Sequence, residues 1–69
     1  MADLDRLRAK IDDAGIKKQK IAEMLGITRQ ALSNKLSGRS DFRLRELDPL
    51  CNVLQLTAAE RTEIFFWTG

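Results

Sequence analysis

Apolar residues along this chain recur at helical spacing, in five stretches separated by short polar breaks. Leu4, Leu7 and Ile11 predict a first helix over about Asp3 to Asp13, closed by Gly15. In the segment KKQKIAEMLG, Ile21, Ala22 and Leu25 fall on one side, while Lys17, Lys18, Gln19 and Glu23 lie elsewhere. Gly26 then supplies a residue free to take positive φ at a helix C-terminus, Ile27 is apolar beyond it, and Thr28 is a good N-cap for the next helix. In TRQALSNKLSG, Leu32 and Leu36 are i,i+4 neighbours on a buried side, and Ala22 and Ala31 are small enough to let the two helices approach closely. The opposite side is polar: Gln30, Ser33, Asn34 and Ser37 fall within an arc of about 100°, flanked by Arg29 in the first turn.

After Gly38 the stretch RSDF reads as a loop anchored by Phe42, and a fourth helix carries Leu44, Leu47, Leu50, Cys51 and Leu54 on its inner side. Pro49 leaves two arrangements: a helix starting near Asp48 with Pro49 in its first turn, or a short turn over 44–47 meeting the helix at a kink, the second being preferred. Thr57 and Glu60 make a capping box that starts a fifth helix running to about Phe66. No strand pattern, internal repeat or low-complexity segment interrupts the series. The expected architecture is a compact all-α domain of five helices spanning residues 1–69, with a helix-turn-helix over about 17–38.

From Ile16 to Gly38 the chain resembles the helix-turn-helix of the Cro and phage-repressor family, the XRE-like group. Small Ala22, the turn glycine Gly26 and apolar Ile21, Leu25, Ile27 and Leu32 all match, and the likeness continues through Phe42, the leucines of the fourth segment and the Leu56-Thr57 entry to the last helix. Two positions depart from the family pattern. Lys35 stands where an apolar residue is usual, with Leu36 apolar one position later, and Lys18 stands where many members carry glutamine. The resemblance implies a lambda-repressor-like fold with its recognition helix in the DNA major groove, and a phage-type or bacterial transcriptional repressor. No ligand-sensing domain is expected within these residues, and the DNA-binding end of a longer protein is the other reading left open.

Charge supports that implication. The net charge is only +2, but Lys17 to Arg45 holds eight basic residues against Glu23 and Asp41, so the positive charge coincides with the motif. Phosphate contacts are expected from Lys17, Lys18, Gln19 and the first amides of the second helix on one side, and from Lys35, Ser37, Arg39 and Ser40 on the other. Base reading falls to Thr28, Arg29, Gln30, Ser33 and Asn34. Arginine suits the O6/N7 pair of guanine and Gln or Asn the N6/N7 pair of adenine, so a half-site with both G and A is expected. A phosphate contact is the other role open to Arg29.

Double-stranded DNA is thus the expected partner. RNA fits less well, because its duplex hides the major groove and the polar face has no aromatic residue for stacking. The competing reading is a helix-turn-helix-shaped protein-interaction module, such as an antitoxin-like partner, since fold alone does not fix function. Catalysis has no foothold: there is no histidine, phosphate-binding glycine loop or metal-ligand spacing, so no enzyme activity, cofactor, metal or small-molecule ligand is expected. The lone Cys51, in PLCNVL, reads as a packing residue. With no run of ~18 apolar residues and no signal-peptide pattern, a cytoplasmic location is expected, on the nucleoid in a bacterial host. Finally, Phe65, Phe66 and Trp67 are consecutive, and helical neighbours point about 100° apart, so they cannot all enter one core. One reading leaves a single ring exposed; the preferred one makes the cluster a two-fold homodimer contact.

Overall fold

The computed structural model describes residues 2–65. Within them run α1 (Leu4–Ala14), α2 (Lys18–Leu25), α3 (Arg29–Leu36), α4 (Leu44–Val53) and α5 (Ala58–Phe65), with no strand among the described residues. The helix ends follow local chemistry. Asp3 Oδ1 accepts the Arg6 amide at 3.1 Å, Thr28 Oγ1 accepts that of Ala31 at 3.0 Å, and Thr57 and Glu60 exchange side-chain-to-amide bonds of 3.0 and 3.1 Å. At the end of α2, Gly26 takes φ +72°; its amide donates to the Glu23 carbonyl and that of Ile27 to the Ala22 carbonyl, a Schellman closure. The end of α4 closes in the same pattern through Gln55, which holds φ +55° without being glycine.

Packing is centred on α2, which lies against both α3 and α4, while α1 packs on α3 and α5. Leu7, Ile21, Leu32, Leu47, Leu50 and Ile64 are fully buried, so each of the five helices contributes to one core. Cys51 is buried among them, and desolvation pushes its thiol pKa up. Phe42 anchors the loop after α3 by an edge-to-face contact with Phe65, ring centroids 6.1 Å apart.

Of the two arrangements open for α4, the preferred continuation through Pro49 is the one found: residues 44–47 form the first turn of the same helix, which does not start at Asp48. The carbonyl deprived of its donor by the proline is that of Arg45, an exposed residue that water can reach. Leu44, placed on the inner side by periodicity, is 71% exposed. As the first residue of α4, its side chain leans toward the helix N-terminus and past the end of the core.

The first and last helices are sewn together by polar ties. The Asp3 amide donates to the Ile64 carbonyl at 2.6 Å, Arg6 pairs with Glu63 at 2.7 Å, and Lys10 pairs with Glu60. The hydrogen bond from Lys10, with that from the Thr57 amide, holds the Glu60 carboxyl pKa at about 2, against an ordinary 4.5. A carboxyl lowered on folding stabilises fully above its unfolded value and loses that contribution as pH falls toward the folded one. NMR titration should therefore place the Glu60 midpoint near 2 in the parent and back toward 4.5 in Lys10→Met. The melting temperature of the variant should also fall less steeply between those two pH values.

Candidate nucleic-acid interface

Lys17 is the N-cap of α2 and makes no side-chain cap, and no acidic residue occupies the first turn, where Lys18, Gln19 and Lys20 are all exposed. Placing lysines at the positive end of a helix dipole is unfavourable in isolation. The Lys20 amide donates to the Lys17 carbonyl at 3.0 Å, and an anion seated on the Lys18 and Gln19 amides before it reverses the sign of that interaction. Gln19 reaches along the helix to Glu23 Oε1 at 3.5 Å and keeps a second amide hydrogen free.

In α3 the geometry separates two sides. Leu32 and Leu36 enter the core, while Arg29, Gln30 and Ser33 are exposed and Asn34 is half-buried. Gln30 Nε2 donates to Asn34 Oδ1 at 3.2 Å, so these two amides present their remaining donors and acceptors as one unit. Thr28 is exposed but commits its hydroxyl oxygen to the Ala31 amide. Behind α3, the Arg8 guanidinium donates to the Leu36 carbonyl and so caps the helix C-terminus from α1.

The end of α3 is a third Schellman closure. Gly38 has φ +86°, its amide donates to the Lys35 carbonyl, and the Arg39 amide donates to the Asn34 carbonyl at 2.9 Å. Ser40 N and Ser37 Oγ donate to that same Asn34 oxygen at 3.4 and 3.0 Å. The side chains of Ser37, Arg39 and Ser40 are left exposed, while their segment is pinned to the backbone of the polar face.

Lys35 does not join them, which corrects its assignment as a phosphate contact. It is 8% exposed and its Nζ lies 3.0 Å from Glu46 Oε1 and 3.0 Å from the Asp41 carbonyl, 5.9 Å from the Phe42 ring centre. The position that the family fills with an apolar residue is thus still buried here, taken by a lysine stem whose charge is matched inside the protein. Glu46, 3% exposed, also accepts the Arg43 amide at 2.8 Å. Burial by itself raises its pKa, but the Arg43 amide and the Lys35 ammonium outweigh that and hold the carboxyl below its ordinary value.

Phe65 is likewise corrected as a dimer contact. At 3% exposure it belongs to the protein's own core, and Phe66 and Trp67 lie outside the described residues. Two side chains that sequence reasoning left unassigned join the exposed basic set, Arg43 and Arg45 at the start of α4. Glu46, three residues after Arg43, was the signal for that helix start, because a Glu at N3 bonds back to the N-cap amide.

Ion pairing divides the twelve basic residues cleanly. Arg6, Arg8, Lys10, Lys35 and Arg61 each pair with a carboxylate. Among the described residues, Lys17, Lys18, Lys20, Arg29, Arg39, Arg43 and Arg45 pair with none, and all seven are exposed. Unpaired cations are therefore confined to the helix-turn-helix and the segment following it. The family model of the Cro/C1-type HTH DNA-binding domain matches residues 6–60. The chain belongs to that family. No curated protein and no solved structure gives a match to it. As a Cro/C1-type domain it is a DNA-binding module of a regulator, with α2 and α3 as its helix-turn-helix. No helix among the described residues is long and apolar enough to cross a membrane, and no cluster of three potential metal ligands occurs among them.

The buried pair makes a stability prediction for this Cro/C1-type domain. Glu46→Leu strands the Lys35 ammonium and leaves the Arg43 amide without its acceptor, and should cost about 3–5 kcal/mol in urea unfolding. Glu46→Gln, which keeps an acceptor for both donors, should cost clearly less.

Proposed function

We propose that the protein is a sequence-specific transcriptional repressor that lays α3 in the major groove of double-stranded DNA and blocks a promoter by occupying it. The observation that carries this reading is the confinement of the seven unpaired cations to residues 17–45, around a polar face whose own groups are mostly neutral. One phosphate stretch meets Lys17, Lys18, Gln19 and the open amides of α2. The other meets Ser37, Arg39 and Ser40, extended by Arg43 and Arg45. Between them Thr28, Arg29, Gln30, Ser33 and Asn34 read base edges, in a half-site that holds both G and A. The protein acts as a homodimer, so that two recognition helices reach half-sites about 34 Å apart on one face of the duplex.

Selection of bound duplexes from a random pool tests the core of this reading and the dimer together. A defined, palindromic site with both G and A is expected. An unenriched pool with salt-insensitive retention would favour a protein-interaction module, and enrichment of isolated half-sites, with a monomer in sedimentation, would remove the dimer. On the selected duplex, Lys18→Ala should weaken binding about equally for all sequences and make the slope of log K against log salt shallower by about one unit. Gln30→Ala and Asn34→Ala should each cost about 1–3 kcal/mol on the selected site alone. Because the two amides are bonded to each other, the double variant should lose about 0.5 kcal/mol or more less than the sum.

A further inference from the structure

The segment between α3 and α4 has little apolar packing to hold it. From Gly38 to Arg43 its only apolar side chain is Phe42. Ser40, Asp41 and Phe42 border an open hollow of about 370 Å³, with Leu47 and Phe65 among its other walls. What crosses from α3 to this segment and on to α4 is polar. Lys35 Nζ bonds the Asp41 carbonyl and Glu46 Oε1, and Glu46 Oε1 bonds the Arg43 amide, so one ammonium and one carboxylate join the last turn of α3, the middle of the loop and the first turn of α4.

Two apolar residues could fill the same volume, and buried ion pairs as a class do not stabilise more than such replacements do. An apolar pair could not, however, donate to the Asp41 carbonyl or accept from the Arg43 amide. The groups so fixed adjoin two unpaired cations, Arg43 and Arg45 at the start of α4, whereas Arg39 is already tied to α3 by its own amide.

We propose that Lys35 and Glu46 are positioning residues for DNA binding, a buried strut that sets the Arg43 and Arg45 side chains at a fixed offset from the base-reading face of α3. The inference rests on the reading that this face binds duplex DNA. The strut touches no nucleic acid. It acts by letting the phosphate contacts and the base contacts form at the same time, as a preorganised site does.

A double-mutant cycle on the full chain tests it, with the duplex selected by the parent protein as probe. Lys35→Met with Glu46→Leu removes the strut while keeping the volume, and cooperative melting checks that the variant is folded. Arg43→Ala should weaken the parent by about tenfold but the strut-free protein by less than about twofold, because the start of α4 in the latter no longer holds Arg43 at its offset from α3. The strut-free protein itself should bind about tenfold more weakly and show a shallower salt slope, a change that lost stability in a folded protein does not produce. Equal Arg43→Ala losses in both backgrounds overturn the proposal. If the double variant does not melt cooperatively, Lys35→Met alone, which removes the donor to the Asp41 carbonyl and to Glu46, takes its place in the same cycle and is judged by the same comparison. Absence of salt-dependent duplex binding by the parent overturns this inference and the functional reading together, whereas parental binding with an unchanged Arg43 effect overturns this inference alone.

Discussion

The recognition helix is too short to stand by itself, and much of the structure exists to hold it. Isolated helices below about 12–15 residues are marginal in water, and α3 has eight. It is therefore fixed from outside at each point where it would fray. Thr28 caps its start, Leu32 and Leu36 tie one side to the core, Arg8 reaches from α1 to its last carbonyls, and Gly38 closes its end. Every one of these supports uses a side of the helix other than the one carrying Gln30 and Ser33. A face with no structural duty is what a DNA-binding surface needs.

The charge distribution follows the same division of labour. Outside residues 17–45, basic side chains are neutralised locally and help to join α1 to α5 or α5 to α4. Within that span, seven cations among the described residues are left to repel one another, and exposed pairs of like charge destabilise only modestly in salt. The cost is tolerable because it is spread over flexible, solvated side chains. The gain appears only when phosphates arrive and displace their counterions.

How much of this was legible in the sequence depended on range. Caps and closures were readable because their chemistry is local: Thr28, the Thr57–Glu60 box and Gly26 each signal within four residues. The polar face of α3 followed from periodicity, and Leu32 with Leu36 gave its opposite side. Lys35 was misread because its charge argued for solvent, while the partner that makes its burial tolerable, Glu46, lies eleven residues on in another helix. Phe65 was assigned outward from a cluster of three rings, whereas its burial and its edge contact with Phe42, 23 residues earlier in the chain, place it in the core. Leu44 failed for the opposite reason: its periodicity was right, but periodicity does not say where a core ends.

The seam between α1 and α5 has a kinetic consequence. The Arg6–Glu63 pair spans 57 residues and Lys10–Glu60 spans 50, so closing the seam encircles nearly the whole described chain. The contacts of α2 with α3 and of α2 with α4 enclose much shorter loops. Loop-closure entropy grows with the length enclosed, and so the entropic cost of ordering falls more heavily on the seam than on the helix-turn-helix. A folding route that assembles α2, α3 and α4 first, with the two outer helices zipping shut around them, meets the lowest entropic barrier this topology offers.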